Sequence, residues 1–332
     1  MNSQPSATMG KRGARARRWV AALRDYGALI GMIGVLLIFG IINPKILTIP
    51  NLSSVVDQSS GPVVMAVGMA IIMSMRGVDL SLAQVADAAG LLAAMLLVLG
   101  WPWWTALAVP IVFALVVGGI NAGLMAYLGV PAIIGTLGMM FVVRSFELVL
   151  SHGSEAQVLF TLPPDQTGPF FYIGQGSIGP VPVSIVVAAI VVAVAFVLTN
   201  GTPLGRYINA VGGNVRAAFL AGVDHRRVFA AGFVASAVCA ALGGMILTSR
   251  AGLAAPGAFE PYLLDAFVAV YLGSLLAPSG RINVLGAAIG ALFVGLIGNA
   301  LTLMGAGAPA RYIAYGVVII IAMTIGVLRR QR

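Results

Sequence analysis

GRYINAVGGNVRAAFLAGV, residues 205–223, lies inside a polar interruption, 199–227, of a chain that is otherwise almost wholly lipid-soluble. The interruption carries Arg206, Arg216, Arg226 and Arg227. Between it and the preceding polar break, residues 151–182 hold Glu155 and Asp165 but no Lys or Arg. Short loops rich in Lys and Arg stay on the cytoplasmic side of a bilayer, so the two loops are expected on opposite faces. The basic one, 199–227, is where a cytoplasmic partner is expected.

Hydrophobic residues make up 60% of the 332 positions and charged ones 9%, far below the roughly 25% charged of a soluble domain. A bilayer is therefore the expected solvent. In a soluble protein a net charge of +9 would suggest nucleic acid. Here six of the 19 basic residues precede Asp25, four lie in 199–227 and three are Arg329, Arg330 and Arg332. That is the pattern of cytoplasmic loops and ends, so lipid is the expected partner and nucleic acid is not. The single Cys239 excludes an internal disulfide. His152 and His225 fall in loops on opposite faces, which does not make a paired metal site.

A spanning helix needs about 20 mainly apolar residues. The chain offers ten such segments, near 26–43, 55–75, 80–99, 103–124, 131–150, 183–199, 228–248, 262–277, 284–303 and 311–328. Parity agrees: two basic ends in the cytoplasm need an even number of spans, and the 199–227 loop must follow an even one. Arg76 and Arg281 then fall inside, with Lys45, Arg250 and Arg311 at or beyond the outer surface as exceptions. The expected class is an all-α polytopic membrane protein, with a basic cytoplasmic tail over 1–24 and a transmembrane domain over 25–332. Arg17 and Arg18 before an apolar run have the look of a signal peptide, but INPKIL, Ile42–Leu47, follows instead of a small-residue cleavage site. The first segment therefore reads as a retained anchor.

Asn121 precedes LMAYLGVPA (Leu124–Ala132) and Asn299 precedes LMGAGAPA (Leu303–Ala310), each at the end of an apolar helix. In this topology one copy is cytoplasmic and the other external, the relation of inverted repeats. An acid near a helix centre costs about 2.5–3.5 kcal/mol on insertion scales, so Asp87, Glu147 and Asp265 each need a partner or a wet cavity. In RGVDLS, Arg76–Ser81, the chain breaks at Gly77 and a helix starts, where Asp79 or Ser81 can cap exposed N–H groups. Asp87 follows on the same face two turns deeper. Arg144 and Glu147, three apart, pair within one helix. Asp79, Gln84, Asp87 and Asn121 are the candidate lining of a translocation path; the competing reading makes them interhelical hydrogen bonds.

Gly118, Gly119, Gly286, Gly290, Gly295 and Gly298 lie inside apolar helices, where they let backbones approach. Gly212 and Gly213 stand instead in the basic loop, placed to cap one short helix and turn into another. Lys11 and Lys45 are the only lysines, and neither closes a GxxxxGK[ST] loop. With no HExxH, CxxC or GxSxG either, the chain is not expected to be an enzyme or to hold a cofactor. Energy from a nucleotide has to come from a partner.

GVDLS (Gly77–Ser81), GGINAGLMAYLGVPAIIGTLG (Gly118–Gly138), the 205–223 block, and LDAFVAVYLGSLL followed by VLGAAIGALFVGLIGNAL (Leu264–Leu301) resemble, in that order, the permease subunits of ribose, xylose and galactoside ABC importers. The likeness runs from about residue 28 to the C-terminus. It implies a multi-pass subunit of the bacterial inner membrane with a type II-like importer fold and both termini cytoplasmic. It also implies a second permease copy, as homodimer or heterodimer, a cytoplasmic ABC ATPase that binds the ATP, and a periplasmic sugar-binding protein. By the same likeness 199–227 is the ATPase-coupling loop, with Gly205, Arg206, Gly212, Gly213, Asn214, Arg216 and Gly222 at its centre. Gln84 and Asp87 replace the small residues usual after GVDLS, and PSGRIN, Pro278–Asn283, stands for a Gly-Gly-Arg-Gly run. The solute stays open between a sugar or polyol and another small hydroxylated compound. A proton-coupled secondary transporter using Asp87, Glu147 or Asp265 is the competing class.

Overall fold

The computed structural model describes residues 29 and 31–320, apart from 278, 279, 308 and 319. The tail 1–24, the outer parts of the first and tenth expected spans, Arg329, Arg330, Arg332 and the first two residues of PSGRIN lie outside the described residues.

Apolar runs that must satisfy every N–H and C=O without water fold as helices. They are α1 (Gly31–Ile42), α2 (Ile49–Gln58), α3 (Ser60–Ser74), α4 (Leu82–Val98), α5 (Thr105–Ala122, continued by a π-helical turn to Tyr127) and α6 (Ala132–Leu150). After them come α7 (Pro164–Gln175), α8 (Val183–Gly201), α9 (Pro203–Gly213), α10 (Val215–Leu220), α11 (His225–Ala251), α12 (Pro261–Leu276) and α13 (Val284–Leu303). A last helix, α14, occupies 309–318. Two short antiparallel pairs complete the list: β1 (Gln157–Val158) with β4 (Leu253–Ala254), and β2 (Ser177–Ile178) with β3 (Val181–Pro182).

Each of the ten expected segments is helical where it is described. Five helices (α5 with its π-helical turn, α6, α8, α11 and α13) are long and apolar enough to cross a membrane, and the bent pair α2–α3 makes a sixth. Helices α1, α4 and α12 are apolar but shorter, so length and composition establish an all-α polytopic protein without fixing the count at ten. The bend, 49°, has a local cause. Pro62 in the first turn of α3 has no N–H to offer Gln58, so the continuous 55–75 helix expected from hydropathy breaks at Ser59.

The centre belongs to α3 and α11. α3 buries every residue but Pro62 and Ser74, and it packs against α11, α12 and α13, while α11 packs against α3, α4 and α5. Each of these two helices thus packs among three helices from the other half of the chain. Small residues allow the approach. A Cβ added at Gly244 would stand 1.9 Å from the Ala86 carbonyl oxygen, and one at Gly290 2.0 Å from that of Ala269. Gly119, expected to serve the same end, faces open space. Only 22% of the apolar stretches of α6 and α8 is buried, against 67% for α11 and α13, so α6 and α8 turn side chains such as Phe141 and Val197 outward. Trp101, Trp103 and Trp104 are exposed together at the α4–α5 turn, the placement of an interfacial aromatic belt.

Candidate functional site

The basic loop folds as two short helices, α9 and α10, separated at Asn214. The expected paired-glycine break is one residue off: α9 runs through Gly212 and Gly213, and Asn214 makes the turn. Its backbone is extended (φ −157°, ψ 108°), and its Oδ1 accepts the Ala217 N–H at 3.0 Å, capping α10. Gly222, with φ 82°, ends α10 in the left-handed conformation that glycine adopts without a Cβ clash. Asp224 then caps α11, accepting from the Arg226 and Arg227 N–H groups at 3.1 and 3.4 Å.

Gly212 is where this element meets the membrane domain. A Cβ there would lie 2.0 Å from the Ser74 carbonyl oxygen at the end of α3, whereas Gly213 has nothing within 4 Å. Gly205 is equally tight, its Cβ position 1.9 Å from the Thr199 carbonyl oxygen. Arg76 closes the joint: Nε donates to the Gly212 carbonyl at 2.8 Å and Nη2 to that of Gly213 at 3.1 Å. Arg76 itself has φ 63°, a conformation costing a non-glycine residue roughly 1–2 kcal/mol. Two charge-assisted hydrogen bonds, about 1.5–3 kcal/mol each, offset that cost. Facing away, Arg206, Tyr207, Val215, Arg216, Phe219 and Leu220 are all exposed, Leu220 at 79%. Arg beside bare aromatic and aliphatic side chains is a composition enriched at protein interfaces.

The four candidate path residues are buried in the protomer. Asp79 Oδ1 accepts from the Ser81 N–H at 3.0 Å and hydroxyl at 2.6 Å, and Oδ2 accepts from the Ser236 hydroxyl on α11 at 2.8 Å. The Asn121 amide of α5 donates to the Ser81 oxygen at 3.0 Å. Asp79, Ser81, Asn121 and Ser236 therefore tie the α3–α4 link to α5 and α11. Gln84 and Asp87 lie farther along α4, outside that network. The carbonyl oxygens of Gln84 and Asn121 have no partner among the described residues.

Asp87 accepts from the Gly257 N–H in the turn before α12. The Arg144 guanidinium lies against Gly257, which has φ 82°, and pairs with Glu147 at 3.0 Å, as its spacing predicts. Replacing Asp87 by Asn keeps an acceptor for Gly257, so near-normal amounts of protein in the membrane are expected. Asp87→Leu leaves a buried N–H bare at about 1–3 kcal/mol and should lower abundance and melting temperature. A uniform fall in uptake with Asn at normal abundance would instead reveal a direct part in transport.

Sequence reading missed two ion pairs whose partners are far apart along the chain. Arg250, at the end of α11, pairs with Asp57 of α2 at 2.5 Å, and the Ser184 hydroxyl of α8 also donates to Asp57. Arg311 of α14 pairs with Asp265 of α12 at 2.6 Å and donates through Nε to the Tyr315 hydroxyl at 2.9 Å. Two of the three cations that broke the positive-inside pattern, Arg250 and Arg311, are thus held by carboxylates. The acidic loop 151–182 is tied down as well. The Ser249 hydroxyl donates to the Phe170 carbonyl at 2.7 Å and accepts the Gly174 N–H at 2.8 Å, docking α7 on the end of α11. A cavity of about 170 Å³ opens between α2, α3, α12, α13 and α14, with Asp265 and Arg311 in its wall.

Residues 51–328 match the family described as branched-chain amino acid transport system / permease component. The ribose import permease protein RbsC of Haemophilus influenzae is 33% identical over 92% of this chain and 93% of that protein. RbsC of Bacillus subtilis is 31% identical over 91% and 92%. The D-allose transport system permease protein AlsC of Escherichia coli is 29% identical over 90% of each. No solved structure matches.

Proposed function

This chain belongs to the branched-chain amino acid transport system / permease component family, and from that premise we propose that it carries a sugar or a related small hydroxylated solute inward. It is a permease subunit of an ABC importer, a multi-pass inner-membrane protein that works with an ATPase and a binding protein. It is not itself an enzyme, and the ATPase is a separate subunit. The family description speaks of amino acids, but the relatives matched over nine-tenths of the chain are named for ribose and D-allose. That supports a polyhydroxylated cargo.

One observation carries the mechanism: the α9–α10 element, braced on α3 by Arg76 and presenting Arg216, Phe219 and Leu220 outward, in a chain without a phosphate-binding loop of its own. We assign 199–227 to docking the ATPase, with Gly205, Arg206, Gly212, Gly213, Asn214, Arg216 and Gly222 as its working residues. The proposal includes ten spans with both termini in the cytoplasm. The rest of the proposal is a second permease copy, solute delivered by a periplasmic sugar-binding protein, and a path along the interface between copies. Gln84 and Asn121, each with an unpartnered carbonyl oxygen, remain the path candidates within the protomer; Asp79 and Asp87 position α4.

The proton-coupled alternative loses support because Asp87, Glu147 and Asp265 each have a hydrogen-bond or ion-pair partner. Vesicles holding the complete transporter, ATP and binding protein are expected to accumulate D-ribose or D-allose undiminished by a protonophore. Collapse of uptake with ATP held constant would favour the alternative.

A further inference from the structure

The cavity between α2, α3, α12, α13 and α14 holds an unusual balance of groups. Asp265 and Arg311 form an ion pair in its wall, so the lining carries both signs and no net charge. Asp265 is 6% exposed. Around the pair stand Ser59, Asn299 and Thr302 and the aromatic ring of Tyr262. Gln58 and Thr302 are exposed and mark the mouth. Ser59 is 3% exposed and its side chain lines the cavity.

Two glycines keep the space open. A Cβ at Gly295 would stand 2.1 Å from the Ser59 hydroxyl oxygen, and one at Gly298 3.3 Å from the Tyr315 hydroxyl. The bend between α2 and α3 sets Ser59 at this wall, at the point where the helix is broken by Pro62. About 170 Å³ is well below the ~300–1,000 Å³ of a pocket for a drug-sized ligand; it suits one small solute or a few waters.

An anion would meet Asp265, and a cation would meet Arg311. A neutral polyol meets neither penalty, since each of its hydroxyls both donates and accepts: Asp265 accepts, Arg311 donates, Ser59 does either, Thr302, whose hydroxyl donates to the Gly298 carbonyl at 2.8 Å, accepts, and the Tyr262 ring covers a C–H face. We infer that this cavity is a binding subsite for a small neutral polyhydroxylated solute, lined by Ser59, Tyr262, Asp265, Asn299, Thr302 and Arg311. The inference deepens the sugar-import reading and rests on it for the cargo class.

The test places a reporter at the mouth. Gln58→Cys is made in the full chain, which is assembled with its ATPase and binding protein in vesicles and labelled with a charged, water-soluble methanethiosulfonate. The native Cys239 is buried and gives a low background. D-Ribose, D-allose and D-fructose are expected to slow labelling, while choline and sulfate are not. Adding Ser59→Ala or Thr302→Val should raise the sugar concentration needed for protection about fivefold, the worth of one neutral hydrogen bond, at unchanged abundance and melting temperature. Ser59→Thr, which restores the hydroxyl, should recover it. Protection by choline or sulfate alone, or equal protection in all variants, overturns the subsite. Absence of protection in a transporter that accumulates these sugars sinks the subsite and leaves the import reading standing. Failure of wild-type sugar uptake sinks the import reading instead, and then protection without uptake still counts for the subsite while no protection counts against it.

Discussion

Gly212→Val is expected to leave the protein in the membrane and to remove transport-linked stimulation of the ATPase, while Gly213→Ala behaves as wild type. The glycines are neighbours, yet only one is crowded: a Cβ at Gly212 would come within 2.0 Å of the Ser74 carbonyl oxygen, and a Cβ at Gly213 would have nothing within 4 Å. A side chain at 212 lifts α9 from the end of α3 and pulls two carbonyls off Arg76. Each such bond is worth about 1.5–3 kcal/mol, so the braced geometry should be depleted at least tenfold. Arg216→Glu tests the outer face of the same element, where the side chain is exposed, and the same loss of stimulation is expected. The readout is ATP hydrolysis in vesicles with and without loaded binding protein, normalised to permease content. Stimulation by Gly212→Val and Arg216→Glu equal to wild type would show that the ATPase docks elsewhere.

The second large effect is on stability. Asp79→Leu strands the Ser81 N–H and the Ser81 and Ser236 hydroxyls, all within a site that is fully buried. At about 1–3 kcal/mol for each of three bare donors, the change should cost at least about 3 kcal/mol, enough to remove most folded protein from the membrane. Asp79→Asn keeps two acceptor directions and should retain much of the fold. Ser236→Ala removes one donor cleanly and should cost about 1 kcal/mol. Membrane abundance and detergent melting curves check all three. A normal melting temperature for Asp79→Leu would mean that the network does not hold α4 to α11.

Helix positions were legible because one quantity, an apolar run between Gly, Pro and charge breaks, decides them locally; α5, α6, α8 and α13 begin and end within a few residues of expectation. The family was legible in four ordered blocks. The α2–α3 bend was missed because 55–75 reads as one span on average, although the polar run Asp57–Ser60 and Pro62 mark the break. Asp57–Arg250 and Asp265–Arg311 could not be read because their partners meet only after packing; Arg250 and Arg311 as misplaced cations were the one available hint. The cavity was invisible for the same reason, since its walls come from five helices. Asn214, rather than the glycines before it, makes the corner of the docking element, as its side chain caps the next helix while glycine has none to offer.

The brace at Arg76 joins a side chain on one segment to main-chain oxygens on the other. Those oxygens are present whatever residues occupy 213 to 220, so the outward surface of α9–α10 is free to be rewritten without loosening its seat on α3. Demands fall on position 76, which must keep its forked cation, and on position 212, which must stay small. Lineages exchanging one ATPase for another therefore need substitutions only among residues such as Val215, Arg216, Phe219 and Leu220. On the proposed docking, a chimera carrying a foreign 213–220 segment on this scaffold should change its ATPase partner and keep its cargo.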